Sequence, residues 1–288
     1  MTMETFFESD DLVIGISHCD SAEVRYRDPV SWPSHAFLFP RTVTAIDYAG
    51  GPSVTANPTA VLLYNQNQRY VRRAIGDKDT TVCYLVSDAL VLQLLAPHEK
   101  RTSLVRPFRL IEAAPSAATL LEERLLFESL RLGALDIHNR AVAMLGTVLQ
   151  SAYDQKRRGR ATEREIDGVE SVREWIARNP IKNASLAELS ALAGLPPMKL
   201  CRAFRQRTGL TLTRYRHELR GCLALDSMSE DSRDLLDIAL SLGYSSHSHF
   251  TYVFRKIFGV TPSAARARLA GAGEVEACAA RSDAHASR

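Results

Sequence analysis

The apolar positions of this chain change their spacing about a third of the way along. Over the first 90 residues they come in short runs: DLVIGIS (11–17), AEVRYR (22–27), HAFLFP (35–40), RTVTAID (41–47), AVLLYN (60–65) and TVCYLVS (81–87). These runs are rich in β-branched and aromatic residues, which suit a pleated surface. Turn formers separate them, at Gly50-Gly51-Pro52, Asn57-Pro58, Asn65-Gln66-Asn67 and Gly76-Asp77. Many short strands with frequent turns predict a sandwich or a barrel. Ser87 then predicts the cap of a helix running to about Leu95.

From Pro115 the spacing becomes helical. Leu120, Leu121, Leu125, Phe127, Leu130 and Leu132 form one amphipathic segment, interrupted near Gly133. Ile137, Val142, Met144, Leu145, Val148 and Leu149 form a second. Such a pair has enough apolar surface to pack on the β-rich part or on a copy of itself. A polar, cationic stretch follows (DQKRRGRATERE, 154–165) and predicts a linker, taken as 157–165. After Arg268 the composition turns to Ala, Gly and charge, which predicts a disordered tail over 269–288.

The region 166–268 carries an internal repeat. LPPMKLCRAFRQRTGLT (195–211) aligns with SSHSHFTYVFRKIFGVT (245–261) at an offset of 50. Leu200 matches Phe250, Phe204 matches Phe254, Arg205 matches Arg255, Gly209 matches Gly259 and Thr211 matches Thr261. In the second copy, about 100° per residue places Phe250, Val253, Phe254, Ile257 and Phe258 on one side. Ser248, Thr251, Tyr252 and Arg255 fall on the other. Ser246 is placed to cap this helix, Gly259 to end it in a left-handed conformation, and Pro262 to begin the next.

Each copy is preceded by a shorter helix and a glycine turn. In the first, Ser185 and Glu188 make a capping box, Leu186, Leu189, Leu192 and Ala193 follow, and Gly194 closes. In the second, Ser232 or Asp234 begins a helix with Leu235, Ile238, Ala239 and Leu242, and Gly243 closes it. Helix, glycine turn, helix is the helix-turn-helix pattern, whose second helix enters the DNA major groove. Residues 211–228 predict one long helix joining the copies, and Val169, Val172, Trp175 and Ile176 a leading helix that stops at Asn179-Pro180.

Charge and cysteine usage support this division. Residues 1–155 sum to −4, residues 156–162 to +4 and residues 163–268 to +4, so a polyanion fits the second half. The five cysteines are scattered without a CxxC, which argues against a disulfide framework or zinc finger and fits a reducing cytoplasm. No apolar run approaches the ~20 residues of a membrane span, and the acidic start (MTMETFFESDD) lacks a signal-peptide pattern. In the first half His18, His35 and His98 are isolated, with no H-x-H and no matching Glu, so no metal site and no cofactor are expected.

Residues 169–268 resemble the DNA-binding domain of AraC/XylS-type transcriptional regulators. The resemblance rests on Asp237-Ile238-Ala239, Gly243-Tyr244-Ser245-Ser246, Ser248-His249-Phe250, Val253-Phe254-Arg255 and Phe258-Gly259-Val260-Thr261-Pro262-Ser263. In the first unit it rests on Leu200, Arg202, Phe204-Arg205, Thr208-Gly209 and Tyr215. Ala265 departs from the family, which often has Tyr or Phe there. Leu38-Phe39-Pro40-Arg41, Ala56-Asn57-Pro58 and Leu63-Tyr64-Asn65 more loosely resemble cupin-like sensor domains. The implied fold is α+β: a β-rich, cupin-like barrel over 1–110, a helical segment over 111–156 with a possible dimerisation role, and an all-α domain with two helix-turn-helix units over 166–268.

The implied function is sequence-specific regulation of transcription, as a cytoplasmic non-enzyme. An activator controlled by a small-molecule effector through the N-terminal domain fits the family. The alternative is an N-terminal half that only dimerises or binds a protein. Implied partners are double-stranded DNA, RNA polymerase and a second copy of the chain. Base contacts fall to Met198, Cys201 and Arg202 in the first unit, and to His247, Ser248, Thr251 and Tyr252 in the second. Arg202 leads, because a guanidinium can bond guanine O6 and N7 together. Met198 and Cys201 can reach only thymine methyls or sugar edges. Arg205, Arg255 and Lys256 lie farther along, where phosphates run, and His249 sits at the edge of the helix face.

Overall fold

The computed structural model describes residues 2–20, 22, 28–49, 51, 53–75, 78–99, 103–156, 162–230 and 233–271. Apart from Ala22, which lies in a turn, the predicted strand at 22–27 lies outside these residues, as do the tail from 272, 157–161 of the linker and Ser232. Among the described residues, no helix is long and apolar enough to cross a membrane.

The N-terminal half is built from two antiparallel sheets. The strands are β1 (Thr2–Glu8), β2 (Leu12–Asp20), β3 (His35–Pro40), β4 (Thr44–Tyr48), β5 (Ser53–Ala56), β6 (Val61–Tyr64), β7 (Tyr70–Ala74), β8 (Lys78–Val86) and β9 (Glu112–Ala113). One sheet runs β1-β2-β8-β3-β6-β9 and the other β5-β4-β7. The expected barrel therefore takes the form of two facing sheets, and no ladder among the described strands closes it.

Period-2 alternation explains why the larger sheet is apolar on both faces. Phe37 and Phe39 of β3, Val61 and Leu63 of β6, and Val82, Tyr84 and Val86 of β8 point to one side. There they meet α1 (Asp88–Leu95) and α3 (Ile137–Lys156) through Leu90, Val91, Leu94, Met144, Leu145 and Val148. The intervening Ala36, Leu38, Leu62, Tyr64 and Cys83 point the other way, onto Ile46, Tyr48, Val54 and Tyr70 of the smaller sheet.

Four of these strands are absent from the sequence reading. In β1, adjacent Phe6 and Phe7 break the alternation; the register slips between Thr5 and Phe7, a bulge that accommodates both. In β7, Arg72 hides the strand, yet it is buried beside Asp79 and Cys19. The strands β5 and β9 are four and two residues long, too short for a periodic signal.

Helix α2 (Ala117–Arg131) lies between the two halves of the molecule. Its Leu126, Phe127 and Leu130 join the core under the large sheet. Its Ala117, Leu120, Leu121 and Leu125 join a core made by the C-terminal helices. The apolar residues of this helix are thus consumed within the chain on two sides.

The C-terminal half contains α4 (Glu163–Arg178), α5 (Leu186–Ala193), α6 (Pro197–Thr208), α7 (Leu212–Glu230), α8 (Leu235–Ser241), α9 (His247–Phe258) and α10 (Pro262–Gly271). The predicted linker is shorter than expected. Thr162 and Glu165 form a capping box, so residues 163–165 are already the first turn of α4.

Candidate nucleic-acid interface

The first helix-turn-helix unit is set by local signals. Ser185 Oγ accepts from the Glu188 N–H, while Glu188 accepts from the Ser185 N–H at 2.7 Å. Both bonds satisfy donors that a helix start leaves open. Gly194 ends α5 at φ 61°, a left-handed conformation, and the Leu195 N–H donates back to the Ser190 carbonyl. Pro197 then opens α6, where its missing N–H costs no bond. Leu200, Ala203 and Phe204 of α6 pack against Val169, Val172 and Ile176 of α4 and Leu189 of α5.

The second unit repeats this plan. Gly243 turns at φ 78°, with room for no side chain: a Cβ would lie 2.9 Å from the Ile181 carbonyl oxygen. Asp234 is the residue before α8, and its side chain makes no cap bond. Ser246 caps α9 by accepting from the His249 N–H. Phe250, Val253, Phe254 and Phe258 face inward, and successive rings lie 5.5 and 4.6 Å apart. Ala265 is fully buried in the same core, so a small residue fits where the family often carries a ring.

Helix α7 belongs to both units. Tyr215 and Leu219 lie in the first core, and Cys222, Ala224, Leu225 and Met228 in the second. Gly221 marks a close approach, since a Cβ there would sit 2.4 Å from Phe258 Cε2.

The outer faces of α6 and α9 are where the predicted contact residues fall. Met198 is 79% exposed and Tyr252 65%. Arg202, Arg205, His247, Ser248, Arg255 and Lys256 are also exposed, and Cys201 is half-buried. Thr251 differs: it is half-buried, and its Oγ1 is enclosed without a hydrogen-bond partner. His249 is exposed and its Nδ1 lies 3.4 Å from Ser245 Oγ.

Among the described residues, Arg202, Arg205, Arg255 and Lys256 form no ion pair. Lys256 lies 6.0 Å from the Tyr252 ring centroid. Cations on the inner side behave oppositely: Arg173 and Arg207 are bound to Glu112 and Glu170. Unpaired cations on two outer helix faces leave charge available for an anion.

Two features near these faces have no signal in the sequence. A groove of about 440 Å³ runs between α9 and the start of α7, lined by Thr211, Thr213, Arg214, His217, Tyr252 and Lys256. Beside it His217 packs on Tyr244 (5.9 Å between rings) and near His249 (6.4 Å). Burial lowers the His217 pKa, and Arg220, His249 and Arg216 add to that, so the ring is held neutral. Burial also pushes the Tyr244 hydroxyl up to about 12, against the pull of Arg220.

In the N-terminal half, a small cavity of about 30 Å³ lies between the sheets, lined by Trp32, Leu62, Tyr64, Tyr70, Arg72 and Asp79 among others. That is the space of about one water molecule. The three histidines sit apart: His18 beside Thr80, His35 against Asp88 and Gln66, and His98 stacked on Tyr153. Among the described residues, no group of three or more metal-binding side chains occurs.

The model of a helix-turn-helix domain matches residues 189–268. The chain is 34% identical over 101 residues to the regulatory protein SoxS of Salmonella typhimurium, covering 35% of this chain and 94% of SoxS. It is 26% identical over 149 residues to the transcriptional activator RhaR of Mannheimia succiniciproducens, covering 52% of this chain and 54% of RhaR. A solved AraC-type regulator from Chromobacterium violaceum is 27% identical, covers 36% of this chain and 92% of its own, and has a TM-score of 0.34. The matches to the first curated relatives, RhaR and RhaS proteins, span 23–54% of their length. Two capped and glycine-ended helix pairs on one shared helix, matched over nearly all of SoxS, place this chain in the AraC-type family of helix-turn-helix transcriptional regulators.

Proposed function

We propose that this chain is a sequence-specific DNA-binding regulator of transcription that reads one face of a duplex with α6 and α9. One observation carries this reading. Two twelve-residue helices, each ended by a glycine at φ 77°, expose unpaired cations on their outer faces. Helices entering successive major grooves on one face lie about 34 Å apart, so one monomer offers a bipartite site. Arg202 is the leading base reader. Met198, Cys201, His247, Ser248 and Tyr252 complete the reading surface, and Thr251 joins it after a rotamer change that turns its hydroxyl outward. Arg205, Arg255 and Lys256 contact phosphates and set affinity and register.

The function is binding rather than catalysis, and its setting is the cytoplasm, where the DNA and RNA polymerase are. Activation is the sign of regulation we favour, since RhaR is named an activator. A small effector bound between the sheets would control the second half. A second reading has a specific observation behind it: the cavity between the sheets, among the described residues, measures about 30 Å³, which favours an N-terminal half that acts by dimerisation or protein contact. A thermal-shift screen of the full chain against metabolites separates the two. Reproducible stabilisation by one compound class supports the effector, and none supports the interaction module.

DNA reading is tested with a randomised site library. Arg202→Ala should relax preference at one base position, at a cost of about 1–3 kcal/mol. Lys256→Ala should weaken all sequences alike and reduce the salt slope by about one. A uniform loss in both variants would remove the assigned division of labour.

A further inference from the structure

The two reading units are fastened to the N-terminal half by different chemistry. The second unit shares an apolar core with it, because Ala117, Leu120, Leu121 and Leu125 of α2 pack among Leu225, Met228, Ile238, Phe250 and Phe254. Arg124 reinforces that contact with two bonds to Asp226 of α7, at 2.8 and 3.1 Å. Around the core of the first unit, by contrast, the apolar residue contributed by the N-terminal half is Val43, among the described residues.

What holds the first unit is mainly ionic: a peripheral pair between Arg73 of β7 and Glu174 of α4, at 3.5 Å, and a buried cluster around Glu112. Glu112, on the edge strand β9, accepts from Arg207 at 2.6 Å and from Arg173 at 3.0 Å. Arg207 lies in the last turn of α6, the reading helix itself, and Arg173 lies in α4. Glu170 closes the cluster, 3.3 Å from Arg207 and 2.9 Å from Arg173. Asn57, from the N-terminal half, donates to the Tyr215 hydroxyl at 3.0 Å. Burial pushes the Glu112 carboxyl up, but Arg173 and Arg207 outweigh this and hold it below the usual carboxylate range.

Two further features make this fastening a device rather than glue. Glu112 pairs in register with Leu62 of β6, and Leu62 lines the cavity between the sheets. A displacement of β6 therefore reaches Glu112 directly. A cleft of about 280 Å³ runs beside the cluster, lined by Glu112, Arg173, Arg207 and Tyr215, and gives water a way in. The Glu112 and Arg173 side chains are only 8% and 4% exposed, whereas Arg207 is 25% exposed and borders the cleft, so water can replace its bond to Glu112 as the two part, a gain an apolar core does not have on opening.

We propose that Glu112 is a latch: it fixes the first reading unit to the regulatory half, and its release frees α6 while α9 stays docked on α2. This rests on the reading of α6 and α9 as the DNA-contacting helices only for its consequence; the latch itself is testable without DNA. A signal from the N-terminal half then changes the relation between the two reading helices instead of moving them together.

Hydrogen exchange on the full chain, followed by peptide, tests this. Arg207→Gln cuts the bond to α6 and leaves the Glu112–Arg173 pair in place, so the fold survives. Exchange over residues 186–208 should rise roughly tenfold or more, with residues 235–258 within about twofold of the parent. Glu112→Gln should give the same pattern and extend it to residues 163–178. Glu170→Gln separates the latch from local stability, because it removes a pair internal to the first unit. It should leave residues 186–208 within about twofold. An equal rise in both units, no rise after Arg207→Gln, or the same rise after Glu170→Gln would each overturn the latch. None of these results depends on whether the library experiment supports DNA reading.

Discussion

The two helix-turn-helix units are near copies in sequence and opposites in attachment. Both place a glycine-ended second helix on α7, and both bury a phenylalanine at the matching position, Phe204 or Phe254. The second unit continues the hydrophobic core of the N-terminal half through α2, whereas the first meets that half across buried charges, Val43 and an open cleft. Apolar burial scales with area and has no preferred direction, so the α2 contact resists opening over its whole area, with the paired Arg124–Asp226 bonds setting its geometry. The buried ion pairs that hold the first unit are directional, and losing one partner leaves the other charge uncompensated. A duplicated fold thus supports one anchored unit and one that can be released.

The sharpest way to break this comparison is to empty the two cores in turn. Phe254→Ala and Phe204→Ala should each cost about 3–5 kcal/mol. They should differ in reach: Phe254→Ala should also destabilise the N-terminal half, and Phe204→Ala should not. Denaturation followed by Trp32, which is buried in the N-terminal half, in a Trp175→Phe background reads this out. Equal coupling in the two variants would remove the asymmetry.

Backbone approaches give the next effect in size. Gly221→Ala would put a Cβ 2.4 Å from the Phe258 ring, and Gly168→Ala would put one 2.7 Å from the Ala193 carbonyl oxygen. Each should cost about 1–3 kcal/mol by overpacking. The Gly168 change should act on the first unit alone, seen as a separate early transition in thermal unfolding.

Caps come next. Ser185→Ala and Ser246→Ala should each cost about 1 kcal/mol, with Ser185 the larger because its hydroxyl also donates to the Glu188 carboxylate at 2.7 Å. Amide exchange in α5 and α9 measures the two separately.

The smallest effect is a pH dependence at His217, where the front of α7 meets Tyr244 and His249 of the second unit. His217 has its pKa lowered from 6.5 by burial first, and then by Arg220, His249 and Arg216, with Tyr244 stacked on its other face. Between the lowered value and 6.5 the unfolded chain binds a proton that the folded chain does not, so stability rises with pH there. It should fall as pH drops below 6.5, and His217→Gln should flatten that slope. Residues 163–216 contain no histidine, so the first unit has no counterpart.

How much of this was legible in the sequence follows from the range of each interaction. The repeat, the Ser185–Glu188 capping box and the glycine turns depend on residues a few places apart, and they appear as read, whereas the Thr162–Glu165 box lay inside the stretch read as linker. The strands carrying Phe37, Val61 and Val82 were legible from composition. Strand β7 was not, because Arg72 reads as surface until Asp79 and Cys19 are brought beside it. The Glu112 cluster joins positions 61 and 95 residues apart, and nothing near Glu112 distinguishes it from a surface carboxylate. The outward positions of α6 and α9 follow from helical phase, but the enclosed hydroxyl of Thr251 depends on packing that phase alone does not specify.

Helix α7 sets a constraint of another kind. It is one continuous rod of nineteen residues, about 28 Å long at 1.5 Å per residue, with its front half in one unit and its back half in the other. Inserting a single residue near Gly221 would swivel one unit against its twin by about 100°. Loops forgive insertions and a shared axle does not, so α7 works as a gauge block that fixes the angular phase of the pair.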